Sequence, residues 1–326
     1  MLEARETMKR TYLFLTGGLG NQLFQIAAAL ALGKNTKIEI DTESGNPRNG
    51  AHPVADFFSL GSHLAPNPSS IKGGSLSTKV GGYVLRSNAE PVRLEKFKAF
   101  RLLSIFAASV YFTILTRRPL VVKANSGVGY SPLRRRIRLS TYLIGYFQTY
   151  KWAEVPSVKD SLKTLHVTNG SKPFEVLRER IAREKPVILH IRRGDYAFEP
   201  DFGVLPSTYY CDGLKLLQLR GAEGKVWAFT DDREWAIEIL QSDGLENIDI
   251  EIVDDSGLST NEVFDLMRLG SAYVIANSSF SWWAAYLARI NGALVVAPEP
   301  WFIGLPEPVE LIPPDWLRIR YFESAD

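Results

Sequence analysis

A chain of 326 residues with 45% hydrophobic content is long enough for one large domain or two of ordinary size, each with a full core. Its single cysteine, Cys211, excludes an internal disulfide framework and makes covalent thiol chemistry a poor explanation of function. The net charge of +2 conceals a split: thirteen Lys and Arg stand against Glu90 and Glu95 between Lys79 and Arg138, whereas Asp243 to Asp265 holds eight acidic residues and no Lys or Arg.

The amino-terminal elements read as strand Thr11 to Thr16, a turn through Gly17, Gly18 and Gly20, an apolar helix from Asn21 to Leu32 and a second strand, Thr36 to Asp41. That reading replaces a signal peptide and leads to a cytoplasmic expectation. The same layout, closing on an acidic Asp41, is that of a nicotinamide-dinucleotide fold and makes an NAD(P)-dependent oxidoreductase an alternative. Against it, Leu23 occupies the place where the fingerprint needs Gly or Ala, and Asn21 and Gln22 have no task there.

Ser44 to Gly82 is rich in Gly, Pro and Ser and reads as excursions rather than core. Leu102 to Thr116 is a largely apolar run flanked by Arg101, Arg117 and Arg118. It reads first as a buried core helix and second as a segment lying in an anionic membrane surface, with Arg134, Arg135, Arg136 and Arg138 as electrostatic support. Nucleic acid is excluded as partner of the basic stretch, since no helix-turn-helix, zinc-ligand spacing or RNA-binding aromatic signature accompanies it. A strand at Leu120 to Lys123 and an extended segment, Leu139 to Gln148, complete this half.

From Pro173 the alternation becomes regular, with helices at 174–183, 209–219, 233–240, 261–268 and 279–289 between strands at 187–191, 225–230, 248–253, 272–275 and 293–297. Such alternation predicts a doubly wound, mainly parallel sheet whose ligands sit beyond the carboxyl ends of the strands. With a boundary near Val167 to Gly170, the chain divides into domains 1–168 and 169–326. A cleft between two such domains is the expected site.

Three motifs fall at strand ends. Val187 to Asp195 delivers His190, Arg192, Arg193 and Asp195 into a loop, with His190 and Arg192 on one face. An imidazole beside a planar guanidinium fork is an anion clamp and points to a phosphorylated ligand; a surface ion-pair cluster is the equal alternative. Phe229-Thr230-Asp231-Asp232 offers a carboxylate to a guanine edge or a cap to the next helix. No D-x-D stands at that strand end and the near match Asp249-Ile250-Glu251 lies within a strand, so no metal is assigned. Asn277 to Trp283 opens a helix whose Ser278 and Ser279 suit both a cap and a diphosphate, while Trp282 and Trp283 read as core.

Together G-G-L-G-N-Q-L-F-Q from Gly17, L-I-G-Y-F-Q from Leu143, H-I-R-R-G-D-Y from His190, F-T-D-D from Phe229 and N-S-S-F-S-W-W from Asn277 resemble, in order and spacing, the α-1,2-fucosyltransferase family. The resemblance implies a GT-B fold of two facing Rossmann-like domains, the carboxyl-terminal one holding GDP-fucose. It also implies inverting, metal-independent transfer to a β-galactoside-containing oligosaccharide, lipid-linked or cytosolic, in O-antigen or capsule assembly. Carried over residue by residue, Arg192 would bind the β-phosphate of departing GDP, His190 and Arg193 would support it, and Asp195 would orient the arginines. For the acceptor proton Asp195 is the first candidate base and His190 the second, and a phosphate oxygen is the alternative to any protein base. Asp231 would contact guanosine, Ser278, Ser279 and Phe280 would line the diphosphate pocket, and Asn21 would lie near the reacting sugar. Gly18 and Gly20 would let backbone approach the donor. Animal members carry an amino-terminal anchor, for which the glycine motif at Gly17 leaves no room; a peripheral place on the inner face of the membrane is therefore expected. A catalytically dead glycan-binding protein is the third reading.

Overall fold

The computed structural model describes residues 10–32, 37–47, 54, 67–68, 74–89, 98–124, 139–242, 244–245, 248–305, 307 and 309–321. Arg134, Arg135, Arg136 and Arg138, and most of the stretch from 48 to 73, lie outside these residues. The chain forms two compact units: unit 1 is Met1–Leu165 with Val309–Leu311, and unit 2 is His166–Pro308 with Ile312–Asp326.

Unit 1 holds a parallel sheet of β1 (Arg10–Gly17), β2 (Lys37–Pro47), β3 (Asn67–Pro68), β4 (Leu120–Ala124) and β5 (Ser140–Ile144), ordered β3-β2-β1-β5-β4. Its helices are α1 (Leu19–Ala31), α2 (Gly74–Ala89), α3 (Lys98–Thr116), α4 (Tyr150–Ala153) and α5 (Pro156–Lys163). Alternate residues Tyr12, Phe14, Tyr142, Ile144, Leu120 and Val122 make one core with Val84, Ala108 and Phe112 of α2 and α3. Phe112 stacks on Tyr142 at 3.9 Å between ring centroids.

Two expectations fail in unit 1. The stretch read as excursions, Ser44 to Gly82, runs into α2, which forms because Ser77, Gly81 and Val84 share one buried face. Small residues there let the helix lie close to the sheet, and burial outweighs the poor helix propensity of Gly and Ser. The run Leu102 to Thr116 is not a buried core helix: within Ala99–Thr116 only 17% of residues are buried. One stripe, Ser104, Ala108 and Phe112, enters the core, and the opposite side is exposed.

Unit 2 holds a second parallel sheet of β6 (Val187–Ile191), β7 (Val226–Thr230), β8 (Ile250–Ile252), β9 (Ala272–Val274), β10 (Leu294–Glu299) and β11 (Leu317–Arg320), ordered β11-β10-β9-β6-β7-β8. Every residue of β6 is buried, as a central strand covered on both faces requires. Between strands run α6 (Lys172–Glu184), α7 (Ser207–Leu219), α8 (Arg233–Leu240), α9 (Thr260–Met267) and α10 (Ser279–Arg289). The fold is α/β with two Rossmann-like units, as expected.

Local chemistry sets the helix starts. Ser171 accepts from the amide of Phe174 ahead of Pro173, Asp232 accepts from Trp235 N, and Ser259 forms a capping box with Glu262. Trp282 and Trp283 are fully buried, and Trp282 stacks on Tyr286. The acidic stretch is structural: Glu262 accepts from Ser171 N, Asp265 from Val167 N, and Glu251 pairs with Arg180 and Lys225.

In unit 1 the Tyr142 hydroxyl donates at 2.8 Å to the carboxylate of Asp41, and both residues are fully buried. Burial and the neighbouring Asp41 charge push the Tyr142 phenol well up, so it stays a donor. Tyr142→Phe keeps the ring and deprives the carboxylate of this donor. The expected loss, read as unit 1 unfolding in urea, is about 1–3 kcal/mol.

Candidate active site

The strand ends of unit 2 assemble an arginine clamp. β6 pairs in register with β7, setting Ile191 opposite Thr230, so the chain leaves both strands at one level and brings Arg192 and Arg193 beside Asp231 and Asp232. Arg192 donates through Nη1 to Asp231 Oδ2 at 2.8 Å and through Nη2 to Asp195 Oδ1. Its guanidinium lies over the Tyr196 ring, 5.2 Å from the centroid. Arg193 donates its backbone N–H to Asp231 Oδ1 at 3.0 Å and its Nη1 to Asp232 Oδ2 at 2.8 Å, and sits over Trp235.

Two carboxylates therefore hold Arg192, and Asp231 holds the loop backbone as well. The short 3-10 helix Gly194–Phe198 turns Asp195 back towards Arg192 three residues earlier. Gly194 is required by closeness: a Cβ there would stand 2.0 Å from Asp231 Oδ2.

His190 lies beneath this loop, 5% exposed. Burial, then the positive charge of Arg192, lower its pKa to about 3, so the imidazole is neutral. With no anion bound it adds no positive charge beside Arg192. His190 Nδ1 and Arg192 Nε are buried without a hydrogen-bond partner among the described residues. Buried polar groups in that state are costly, and an N–H at Arg192 Nε suits an oxygen-rich anion.

The third motif closes the same end of the sheet. Ser278, buried, is the N-cap of α10 and accepts from Phe280 N at 3.3 Å. Ser279 and Phe280 are half-buried, and the Phe280 ring lies 6.4 Å from His190 and 5.4 Å from Phe264. Tyr196 donates its hydroxyl to the Asn277 carbonyl at 3.1 Å, linking the arginine loop to the serine motif. Asn277 Nδ2 in turn donates to the carbonyls of Phe202 and Gly203. Asp232, offered by the sequence to guanine or to a cap, caps α8 and pairs with Arg193, whereas Tyr196 and Asn277 escaped the sequence reading as individual site components. The signal for Tyr196 was its place four residues beyond Arg192, one turn along.

Gly18, Gly20 and Asn21 belong to unit 1. Gly17, at φ +74°, makes the turn; Gly18 caps α1 and Gly20 is buried inside its first turn. Gln148 Nε2 donates to Asn21 Oδ1 at 2.9 Å, joining the L-I-G-Y-F-Q and G-G-L-G-N-Q motifs across the carboxyl ends of β5 and β1. Gln25 brackets the N–H and carbonyl of Thr16, and Gln22 Nε2 donates to Gly17 O. Asp41 does not end its strand, which runs on to Pro47, and it is sealed against Tyr142. The ribose anchor of a nicotinamide dinucleotide is thereby missing. Among the described residues no group of three or more His, Cys, Asp and Glu side chains is placed to hold a metal.

The family described as Glycosyl transferase family 11 matches this chain over residues 137–303, just over half its length. The chain belongs to glycosyl transferase family 11. It is an α/β glycosyltransferase, and all three motifs of the unit 2 clamp fall within the matched span. This family 11 enzyme is 26% identical over 322 residues to an alpha-1,2-colitosyltransferase of Escherichia coli, covering 94% of this chain and 97% of that one. It is 26% identical over 312 residues to the O-antigen biosynthesis glycosyltransferase WbnK of Escherichia coli, covering 90% and 95%. Among solved structures, the E. coli ADP-heptose lipopolysaccharide heptosyltransferase II aligns over 96% of this chain and 90% of that one, with 12% identity and a TM-score of 0.48.

The buried imidazole gives a pH signature. The folded state refuses a proton that the unfolded chain accepts below about 6.5, so stability contributed by neutral His190 is lost as pH falls from 6.5 towards 3. Relative to His190→Gln, the wild type should lose about 2 kcal/mol between pH 7 and pH 5, read by denaturant titrations at both.

Proposed function

We propose that this family 11 enzyme moves L-fucose from GDP-β-L-fucose to the 2-hydroxyl of a β-galactoside in an oligosaccharide, with inversion, during O-antigen or other surface-glycan synthesis. The observation that carries the reading is the braced Arg192, a permanent cation held by two carboxylates at the carboxyl end of a central parallel strand. The motif resemblance supports the fucosyl donor, and the WbnK relative supports the O-antigen setting.

In the reaction the acceptor oxygen forms a bond to C1 of the sugar while the C1–O bond to phosphate breaks, its electron pair passing to the β-phosphate of GDP. Arg192 neutralises that growing charge from a position fixed before reaction, so little reorganisation is needed. Arg193, Ser278, Ser279 and the amides opening α10 take the remaining phosphate oxygens. Asp231 positions both arginines, and the lone pairs left on its two oxygens can still accept from a guanine edge. The acceptor proton goes to Asp195, half-exposed and bonded to Arg192, or to a phosphate oxygen. For Asn21, Gly18 and Gly20 of unit 1, a part in handling the sugar rests on the motif resemblance alone. With arginine at the leaving group, turnover should survive chelators.

A colitosyl donor is the second reading, favoured by the colitosyltransferase relative. Parallel assays of GDP release from GDP-fucose and GDP-colitose, with and without a β-galactoside, distinguish the two; release from neither donor rejects both. Arg192→Ala should slow turnover at least ~100-fold, about 3 kcal/mol of barrier, while the protein stays folded. Asp195→Asn should slow turnover with GDP affinity unchanged if Asp195 is the base. Weaker GDP binding would make it a positioning residue for Arg192.

A further inference from the structure

Unit 1 carries an apolar face that its own core does not use. On α3, Leu102, Leu103, Phe106 and Ile114 are 67%, 64%, 67% and 72% exposed, with Phe100 and Val110 also open. Residues 103, 106, 110 and 114 follow the three-and-four spacing of one helical stripe, opposite the Ser104, Ala108 and Phe112 stripe that enters the core. The face continues onto α2, where Leu76 and Tyr83 are exposed and the Tyr83 ring meets Phe100 edge-on at 5.8 Å. Hydroxyl–hydroxyl hydrogen bonds between Ser77 and Tyr111 and between Ser87 and Ser104 join the two helices. A contiguous exposed apolar patch of this kind marks an interaction surface.

Charge decides what covers it. Residues 74–89 and 98–124 contain no Asp or Glu. Lys79 and Arg86 are exposed on the same stripe of α2 as Leu76 and Tyr83, Arg101 precedes the apolar run, and Arg117 and Arg118 follow it. A second copy docked through a two-fold axis would set these cations against themselves. A leaflet rich in anionic headgroups receives both parts, with the apolar stripe in the acyl boundary and the cations among the phosphates.

We propose that the outer face of α2 and α3 is a membrane-docking surface, lying in the interface of an anionic phospholipid leaflet with Phe106 and Ile114 inserted and Lys79, Arg86, Arg117 and Arg118 at headgroup level. This is independent of which sugar is transferred, because none of these residues belongs to the arginine clamp.

The test is co-sedimentation of the full chain with vesicles of phosphatidylcholine alone and of phosphatidylcholine with phosphatidylglycerol, in low and high salt. Binding is expected on the anionic vesicles, weakened by salt. Phe106→Asp combined with Ile114→Asp should lower partitioning at least ~10-fold. Arg117→Gln with Arg118→Gln should lower it roughly fivefold per charge removed. Circular dichroism and GDP binding should be unchanged in these variants, which separates lost docking from lost folding. The proposal is overturned by no binding of wild type to anionic vesicles, by equal binding of the aspartate variant, or by a dimer in sedimentation that the same two aspartates dissociate.

Discussion

Everything proposed for catalysis depends on one arrangement, a guanidinium stretched between two carboxylates at the end of a buried strand. Alone at the surface Arg192 would be a mobile cation; with Asp231 on one side, Asp195 on the other and the Tyr196 ring beneath, it has one orientation. Partly buried ion pairs, in which desolvation offsets the attraction, are weak contributors to stability. Their value is preorganisation, since an electrostatic catalyst acts best when its dipoles and charges need not move as charge develops. The same arrangement explains the glycine in R-R-G-D, for Asp231 occupies the space a side chain at 194 would need.

Around that arginine, neutral groups complete the environment. His190 is adjacent to a fixed cation and nearly closed off from water, so it stays uncharged beneath the loop. Tyr196 and Asn277 extend the connection to the opening turn of α10, where a capped helix start presents backbone N–H groups. Three separate strand ends contribute because β7, β6 and β9 are neighbours in the sheet although far apart in sequence.

Much of unit 2 was legible because its local signals agree with its packing. Helices Arg233–Leu240 and Ser279–Arg289 start and stop where the capping residues and apolar periods put them. Unit 1 was harder. In α2 the residues that touch the sheet are Ser, Gly and Val, so no apolar period announces the helix. In α3 both sides are apolar, and composition cannot say which side the fold leaves uncovered. Within the site, Asp231 and Asp232 are adjacent and chemically alike; only the register of β6 on β7 assigns one to the arginine loop and the other to the helix start.

The segment joining the units also carries a lesson for anyone dividing the chain. Ser171 and Val167 give their amides to Glu262 and Asp265, carboxylates nearly closed off from water on α9. A fragment begun at Lys172 would look complete by its strands and helices yet leave Glu262 short of a backbone donor. Unit 2 therefore begins at His166, ahead of its first helix, and a cut beyond Ser171 would take backbone donors from carboxylates more than ninety residues downstream, at 262 and 265.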